Sequence, residues 1–332
     1  MVVRAMTVIV DDELLATPPE SLVSEAAAIE SSRACVSYAV SGRPAGLATG
    51  PGDAFFISDA TSRTIWHIDE GGVRVLARAP GSGLPDVAGL GWVLRPAGLV
   101  MGPDGVLVVA DTVGHRVWAI APDGTVSLFA GSEYGYRDGP AREAQFRSPA
   151  DVAIGPDGTY YVADTENNRI RCITPDGLVS TLAGSLYDYG DGRGAGARFR
   201  RPEAIIVDGD GTCYVADTGN HMIRRITPDG QVTTLAGSPL GGDRDGVGSE
   251  ASLRWPTGLA MGSDGALWVA DYGNGALRRI ERNGATSTRL RLSARRWPVA
   301  VAALHGTMVV ATVVFDDPGH PETCLISVEV GQ

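Results

Sequence analysis

RPEAIIVDGDGTCYVADTGNHMIRRITPDGQVTTLAGS, residues 201–238, is the stretch on which the reading of this chain turns. It holds four short apolar runs, at 204–207, 212–216, 222–226 and 232–235, parted by Gly, Asp and Pro. Runs of that length, rich in Val, Ile and Leu, predict short antiparallel strands. Asp210-Gly211 and Asp229-Gly230 supply the positive φ values that tight hairpins need. The same pattern recurs along the chain. The carboxylates ending the second run are Asp59, Asp111, Asp164, Asp217 and Asp271, at steps of 52, 53, 53 and 54 residues. The prolines that open the first run, Pro44, Pro96, Pro149, Pro202 and Pro256, keep the same step. A fixed period of four short strands, each unit burying its faces only against its neighbours, is the signature of a β-propeller.

VADTGNHMIRRITPDG, from Val215, and VADTENNRIRCITPDG, from Val162, resemble the NHL repeat. The resemblance covers roughly residues 43 to 290 and implies an all-β, six-bladed propeller of four-stranded antiparallel blades. The expected blades are about 43–79, 95–132, 148–185, 201–237, 255–291 and 297–331. The last is degenerate, with Thr312 where the others end in Asp, and lacks a fourth strand. Residues 33–41 are expected to supply it, since a strand borrowed from the N-terminal side closes the ring and removes two sheet edges. Residues 1–32 stand outside the repeat and read as an arm, with a short amphipathic helix over 22–29, not as a domain. The propeller domain is then 33–332.

The 332 residues carry a net charge of −11, and all 28 basic residues are arginine. Without lysine there is no side-chain amine for Schiff-base chemistry. The acidic balance speaks against nucleic acid. No apolar stretch reaches a membrane span and the first residues do not read as a signal peptide, so the expected location is cytoplasmic. Cys35, Cys172, Cys213 and Cys324 show no metal-ligand spacing and read as packed thiols, although Cys35 and Cys324 fall on neighbouring strands of the closing blade. No cofactor motif is present, and a divalent metal is a minority reading. The arginines on third strands (Arg169, Arg171, Arg224, Arg225, Arg278, Arg279) read as solvated rim charges.

The blade-to-blade loops are the informative ones. Asp138, Asp191 and Asp245 each stand eleven residues before a blade-opening proline and are expected to cap the following turn. The pairs Ala144/Phe146, Ala197/Phe199 and Ala251/Leu253 are expected to wedge between blades. Tyr134, Tyr136, Tyr187 and Tyr189 would rise as one wall of a bowl, with Trp255 and Trp297 beside it. Where most blades read Pro-Ala-Gly or similar, two carboxylates break the column: Asp151 in blade three and Glu203 in blade four. A scaffold does not need them, and burial there would raise their pKa unless they were paired or hydrogen-bonded. His115 and His221 share one column with Arg63, Asn168 and Gly275, a position where the NHL pattern itself often has histidine. His320 lies in an insert with no counterpart in the repeat.

The reading leans to an enzyme of lyase, isomerase or cyclase type, working on a small metabolite at the channel mouth. Glu203 and Asp151, helped by His221 and His115, would move protons. Arg201 or Arg147 would hold an anionic group, with Tyr136, Tyr189, Trp255 and Trp297 as walls. Propeller lyases of similar architecture place histidines and a metal around the channel, but the histidines here are too few and scattered to carry that site over. The alternative is a non-catalytic propeller that binds a protein partner, the role NHL propellers often have beside other domains.

Overall fold

A computed structural model describes residues 8–9, 38–41, 43–78, 95–292, 296–304, 307–317 and 320–329, with side chains over 43–78, 95–292, 296–304 and 307–312. In the quoted repeat the strands are Pro202–Val207, Cys213–Asp217, Met222–Ile226 and Gln231–Gly237, paired antiparallel in order from the channel outwards. Their two hairpins turn at Gly211 and Gly230, both at φ 82°, a conformation that a side chain would strain. Between the second and third strands a single 3-10 turn, Thr218–Asn220, ends in His221 at φ 59°. The inner strand always carries a bulge just after its proline, as between Pro202 and Ala204. A bulge bends the strand and re-aims one side chain.

Five blades follow this plan, opening at Pro44–Thr49, Pro96–Met101, Pro149–Ile154, Pro202–Val207 and Pro256–Met261. The expectation of six four-stranded blades is thereby corrected to five built on the repeat. The sheet between blade five and blade one has a different construction. It takes three strands, Arg296–Leu304, Thr307–Asp317 and His320–Glu329, of up to 11 residues where the repeat uses five to seven. Tyr38–Ser41 pairs antiparallel with its edge, Val40 opposite Thr323, and Val8–Ile9 adds a parallel strand outside that. Blades three, four and five are not four-stranded either. Each gains a two-residue outer strand from the preceding loop, such as Gly192–Arg193 on Gln231–Gly237.

The core lies in the seams between sheets. Between blades three and four, for example, Ala153, Ala163, Ile170, Ala183, Ile205, Val215 and Ile226 pack with Ala197 and Phe199, the pair supplied by the loop. Ala144, Phe146, Ala251 and Leu253 are buried in the seams on either side, as expected of wedges.

The rim arginines need correcting. Arg171, Arg224 and Arg278 are completely buried. Arg224 Nη1 donates to Asp217 Oδ2 at 2.8 Å and Nη2 to Asp191 Oδ1 at 2.7 Å. Arg171 joins Asp164 and Asp138 in the same way, and Arg278 joins Asp271 and Asp245. The loop aspartates therefore do not cap the next turn. Each clamps its loop onto a buried guanidinium, whose fork can serve two carboxylates at once. Where blade two has Trp118 in the arginine position, its indole N–H donates to Asp111 instead, at 3.2 Å. Arg225, by contrast, is exposed as expected.

No helix among the described residues is long and apolar enough to cross a membrane. Cys172 and Cys213 are buried free thiols. The 22–29 helix and Cys35 lie outside the described residues, as do the side chains of His320 and Cys324.

Candidate functional site

The bulged inner strands converge on a cavity of about 830 Å³ at one end of the channel. The residue just after each proline lines it: Ala45, Ala97, Ala150, Glu203, Thr257 and Val299. Five of these are small, hydroxylic or aliphatic, so the carboxyl of Glu203 is the departure from the column. Burial pushes the Glu203 carboxyl up in pKa. Arg201, with Nη2 at 3.5 Å from Oε1, pulls it back, as does Arg43 from blade one. Glu203 is therefore a poised carboxyl, mostly enclosed, with a guanidinium beside it and a cavity in front.

Asp151 occupies the next position of its own strand and does not line this cavity. Its Oδ1 accepts from its neighbour's amide, Val152 N, at 2.9 Å, and its Oδ2 from Ile205 N of blade four at 2.9 Å. On the other side it leans on blade two: a Cβ on Gly98 would stand 1.8 Å from Asp151 Oδ1. One carboxyl thus touches three inner strands. Burial raises its pKa to about 7, against the pull of the two amides. Pairing with a nearby arginine exists for Glu203 and has no counterpart at Asp151 among the described residues, where hydrogen bonds take its place.

The histidine column is the left-handed residue that ends the 3-10 turn or its equivalent. Arg63, His115, Asn168, His221 and Gly275 have φ between 53° and 59°. Three of their side chains, those of His115, Asn168 and His221, reach the next blade's entry. His115 Nδ1 accepts from Ser148 N and His221 Nδ1 from Trp255 N, both at 3.1 Å, and Asn168 Oδ1 takes Arg201 N at 3.0 Å. Burial lowers the pKa of both histidines. With Nδ1 an acceptor, the neutral ring carries its proton on Nε2. His221 lines the cavity and His115 does not.

Of the expected walls, Trp255 and Tyr187 line the cavity, but Tyr136, Tyr189 and Trp297 do not. Tyr136 is drawn to the rim instead. Its ring lies 4.0 Å from the Arg169 guanidinium, and its hydroxyl meets Thr181 Oγ1 at 3.0 Å. Tyr189 likewise stacks on the Arg224 guanidinium. Arg147 is turned to Glu166, at 3.1 Å, and stacks on Tyr134. Arg201 lines the cavity with its neighbour Arg200 and with two arginines not singled out in the sequence, Arg43 and Arg95. The signal for them was present, since each stands one or two residues before a blade-opening proline. Among the described residues, no group of three His, Cys, Asp or Glu side chains is placed to hold a metal ion.

The NHL repeat model matches residues 94–120, 146–173 and 253–280. Protein SUPPRESSOR OF QUENCHING 1 of Arabidopsis thaliana is 33% identical over 184 residues, 51% of this chain and 17% of that protein. NHL repeat-containing protein 2 of Bos taurus is 30% identical over 210 residues, 54% and 29% of the two chains. The chain spans under a third of either relative. Among solved structures, virginiamycin B lyase from Staphylococcus aureus superposes with a TM-score of 0.58 at 16% identity, over 86% of this chain and 80% of that one. A gluconolactonase from Xanthomonas campestris gives 0.60 at 16% identity, over 89% and 91%. At such identities the likeness is one of fold. Repeat, hairpins and relatives agree: the chain carries NHL repeats, three of them matched by the repeat model, and folds as an all-β propeller similar to NHL repeat-containing proteins.

Proposed function

We propose that the propeller binds a small metabolite at the channel mouth and acts on it by carboxylate acid–base chemistry, in an elimination or ring-opening reaction. The observation that carries this reading is Glu203: a carboxyl with raised pKa, in the one column position that otherwise holds small or apolar residues, facing a cavity of metabolite size. Glu203 would exchange a proton with the substrate, and the Arg201 guanidinium at 3.5 Å would steady its charged form. His221 would offer its Nε2–H to the substrate, and Trp255 and Tyr187 would form the apolar side. Asp151, with a pKa of about 7, would stand behind the site as a second proton store. His115, Arg147, Tyr136, Tyr189 and Trp297 lie outside the cavity and have no part in this reading. Structural neighbours that are a lyase and a gluconolactonase agree with a small-molecule enzyme, and cyclisation has no support.

The test pairs ligand-induced thermal stabilisation across a metabolite panel with turnover, in wild type and Glu203→Gln. Substrate depletion that the variant loses by about a hundredfold or more, with ligand stabilisation kept, is the expected result. Equal turnover in the two proteins would remove Glu203 from the chemistry.

A second reading has its own observation. Leu240 and Leu186, at 94% and 67% exposure, stand on the loops around the mouth, and with Tyr187 and Trp255 they give that face an apolar rim. Such a rim suits a protein partner. Failure of every metabolite to stabilise the chain, with capture of a partner lost on Leu186→Ser/Leu240→Ser, would favour it.

A further inference from the structure

Each of the five blades places an arginine at one structural position: the residue whose backbone N–H donates to the strand-ending aspartate. Arg43 does so to Asp59, Arg95 to Asp111, Arg147 to Asp164, Arg200 to Asp217 and Arg254 to Asp271, at 2.7–3.1 Å. That task needs only an amide, which any residue but proline supplies. The scaffold therefore gives no reason for a guanidinium at five positions out of five.

The side chains are not equally engaged. Arg147 is held by Glu166, and Arg200 donates to the Tyr187 hydroxyl. Arg43 and Arg95, on neighbouring blades, line the cavity and make no side-chain hydrogen bond or ion pair among the described residues. Four arginines line the cavity (Arg43, Arg95, Arg200 and Arg201) against two carboxylates, Glu166 and Glu203, and both carboxylates are already paired. This surplus of two positive charges sits in a chain whose net charge is −11. Like charges gathered in a concave, partly desolvated mouth repel one another, and an anion relieves that cost. Planar guanidinium forks match carboxylate and phosphate oxygens.

We propose that the ligand of the channel mouth is a small organic polyanion: one carboxylate or phosphate group rests on Arg43 and Arg95 of blades one and two, and a second on Arg200 and Arg201 of blade four. This rests on reading the cavity as a ligand site and names the substrate class. Arg43 and Arg95 are its binding residues, and Glu203, beside the second group, addresses the atoms between the two.

The experiment is titration calorimetry at low ionic strength with citrate and with inorganic pyrophosphate. It compares wild type, Arg43→Gln/Arg95→Gln, Glu203→Gln, and Arg225→Gln on the exposed rim. Binding of either probe that weakens about tenfold or more in the double variant, falls with added salt, and is unchanged in Arg225→Gln is the expected result. Citrate binding alone identifies carboxylates and pyrophosphate binding alone identifies phosphates. A double variant that melts like wild type but binds like it overturns the proposal, and so does a wild type that binds neither probe at millimolar concentration. Glu203→Gln separates the two claims. Polyanion binding kept in that variant, with no turnover of any anion by wild type, sinks the acid–base chemistry and leaves this inference standing. Turnover of an uncharged substrate without polyanion binding does the reverse.

Discussion

At Asp151 a single carboxyl is shared by three blades, and its ionisation should be felt by the whole ring. The folded-state pKa is about 7 and the ordinary value 3.8, so between these limits the folded chain holds a proton that the unfolded chain has released. Stability linked to this group is therefore full below about pH 4, falls as pH rises towards 7, and is level above that. The loss amounts to roughly 4 kcal/mol if the whole difference acts on folding. Glu203 and Asp271, also raised by burial, tilt the wild-type curve the same way, so the slope of wild type alone does not identify Asp151. Asp151→Asn does. Melting temperatures from pH 4 to 8 should show the variant gaining on wild type across that window and running parallel to it above pH 7. Parallel curves throughout would mean that Asp151 titrates like a solvated carboxylate. The sequence marked Asp151 and Glu203 together as intruders in a column of small residues. It could not separate them, because a bulge of one residue sends Glu203 into the cavity and leaves Asp151 against Gly98.

Between elements, the buried arginine clamps decide how a loop is fastened to its blade. Arg224 stands opposite Asp217 and Asp191, all three in one hydrogen-bonded group, with Asn220 Nδ2 on Asp217 at 2.9 Å. Truncating one partner of a buried pair strands the other. Arg224→Ala should cost about 3–5 kcal/mol, and Asp217→Asn in the same chain should restore part of it, because no uncompensated charge is then buried. Urea unfolding of the two single variants and the double gives the coupling, and additive losses would show that the pair is not coupled. This part of the fold was the least legible. Strands and hairpins follow from local patterns, Asp-Gly turns and alternation, which the chain repeats five times. An arginine in a strand reads as solvated because its partner lies 33 residues away in the sequence, in a loop that looks like a turn. A weak signal was there: Asp and Arg stand seven residues apart in blades three, four and five, and Trp takes the arginine's place in blades one and two.

On the scale of the whole molecule, the ring is only as strong as its one irregular sheet. Five blades inherit their pairing from the repeat, while the sheet that joins blade five to blade one is assembled from both sides of it. The period revealed that a strand would have to come from the N-terminal side, and Tyr38–Ser41 does pair with His320–Glu329. What the period could not show was that this sheet abandons the four-stranded plan, with strands of 9, 11 and 10 residues and a parallel addition at Val8–Ile9. Once the repeat lapses, register is set by cross-strand contacts, and those leave no fixed spacing to read. The closing strand offers a direct test. Removing residues 1–41 takes away the pairing of Val40 with Thr323 and Ser41 with Glu322, and leaves the His320–Glu329 edge open to other chains. A handful of backbone hydrogen bonds at about 1 kcal/mol each corresponds to a fall of several degrees in Tm. An open edge in a ring whose blades support one another should also bring concentration-dependent light scattering on heating. A truncated chain that melts at the wild-type temperature and stays clear would show that the three long strands close the ring alone. The polyanion-binding face would then be independent of the N-terminal segment, since Arg43 lies two residues beyond the cut and is kept.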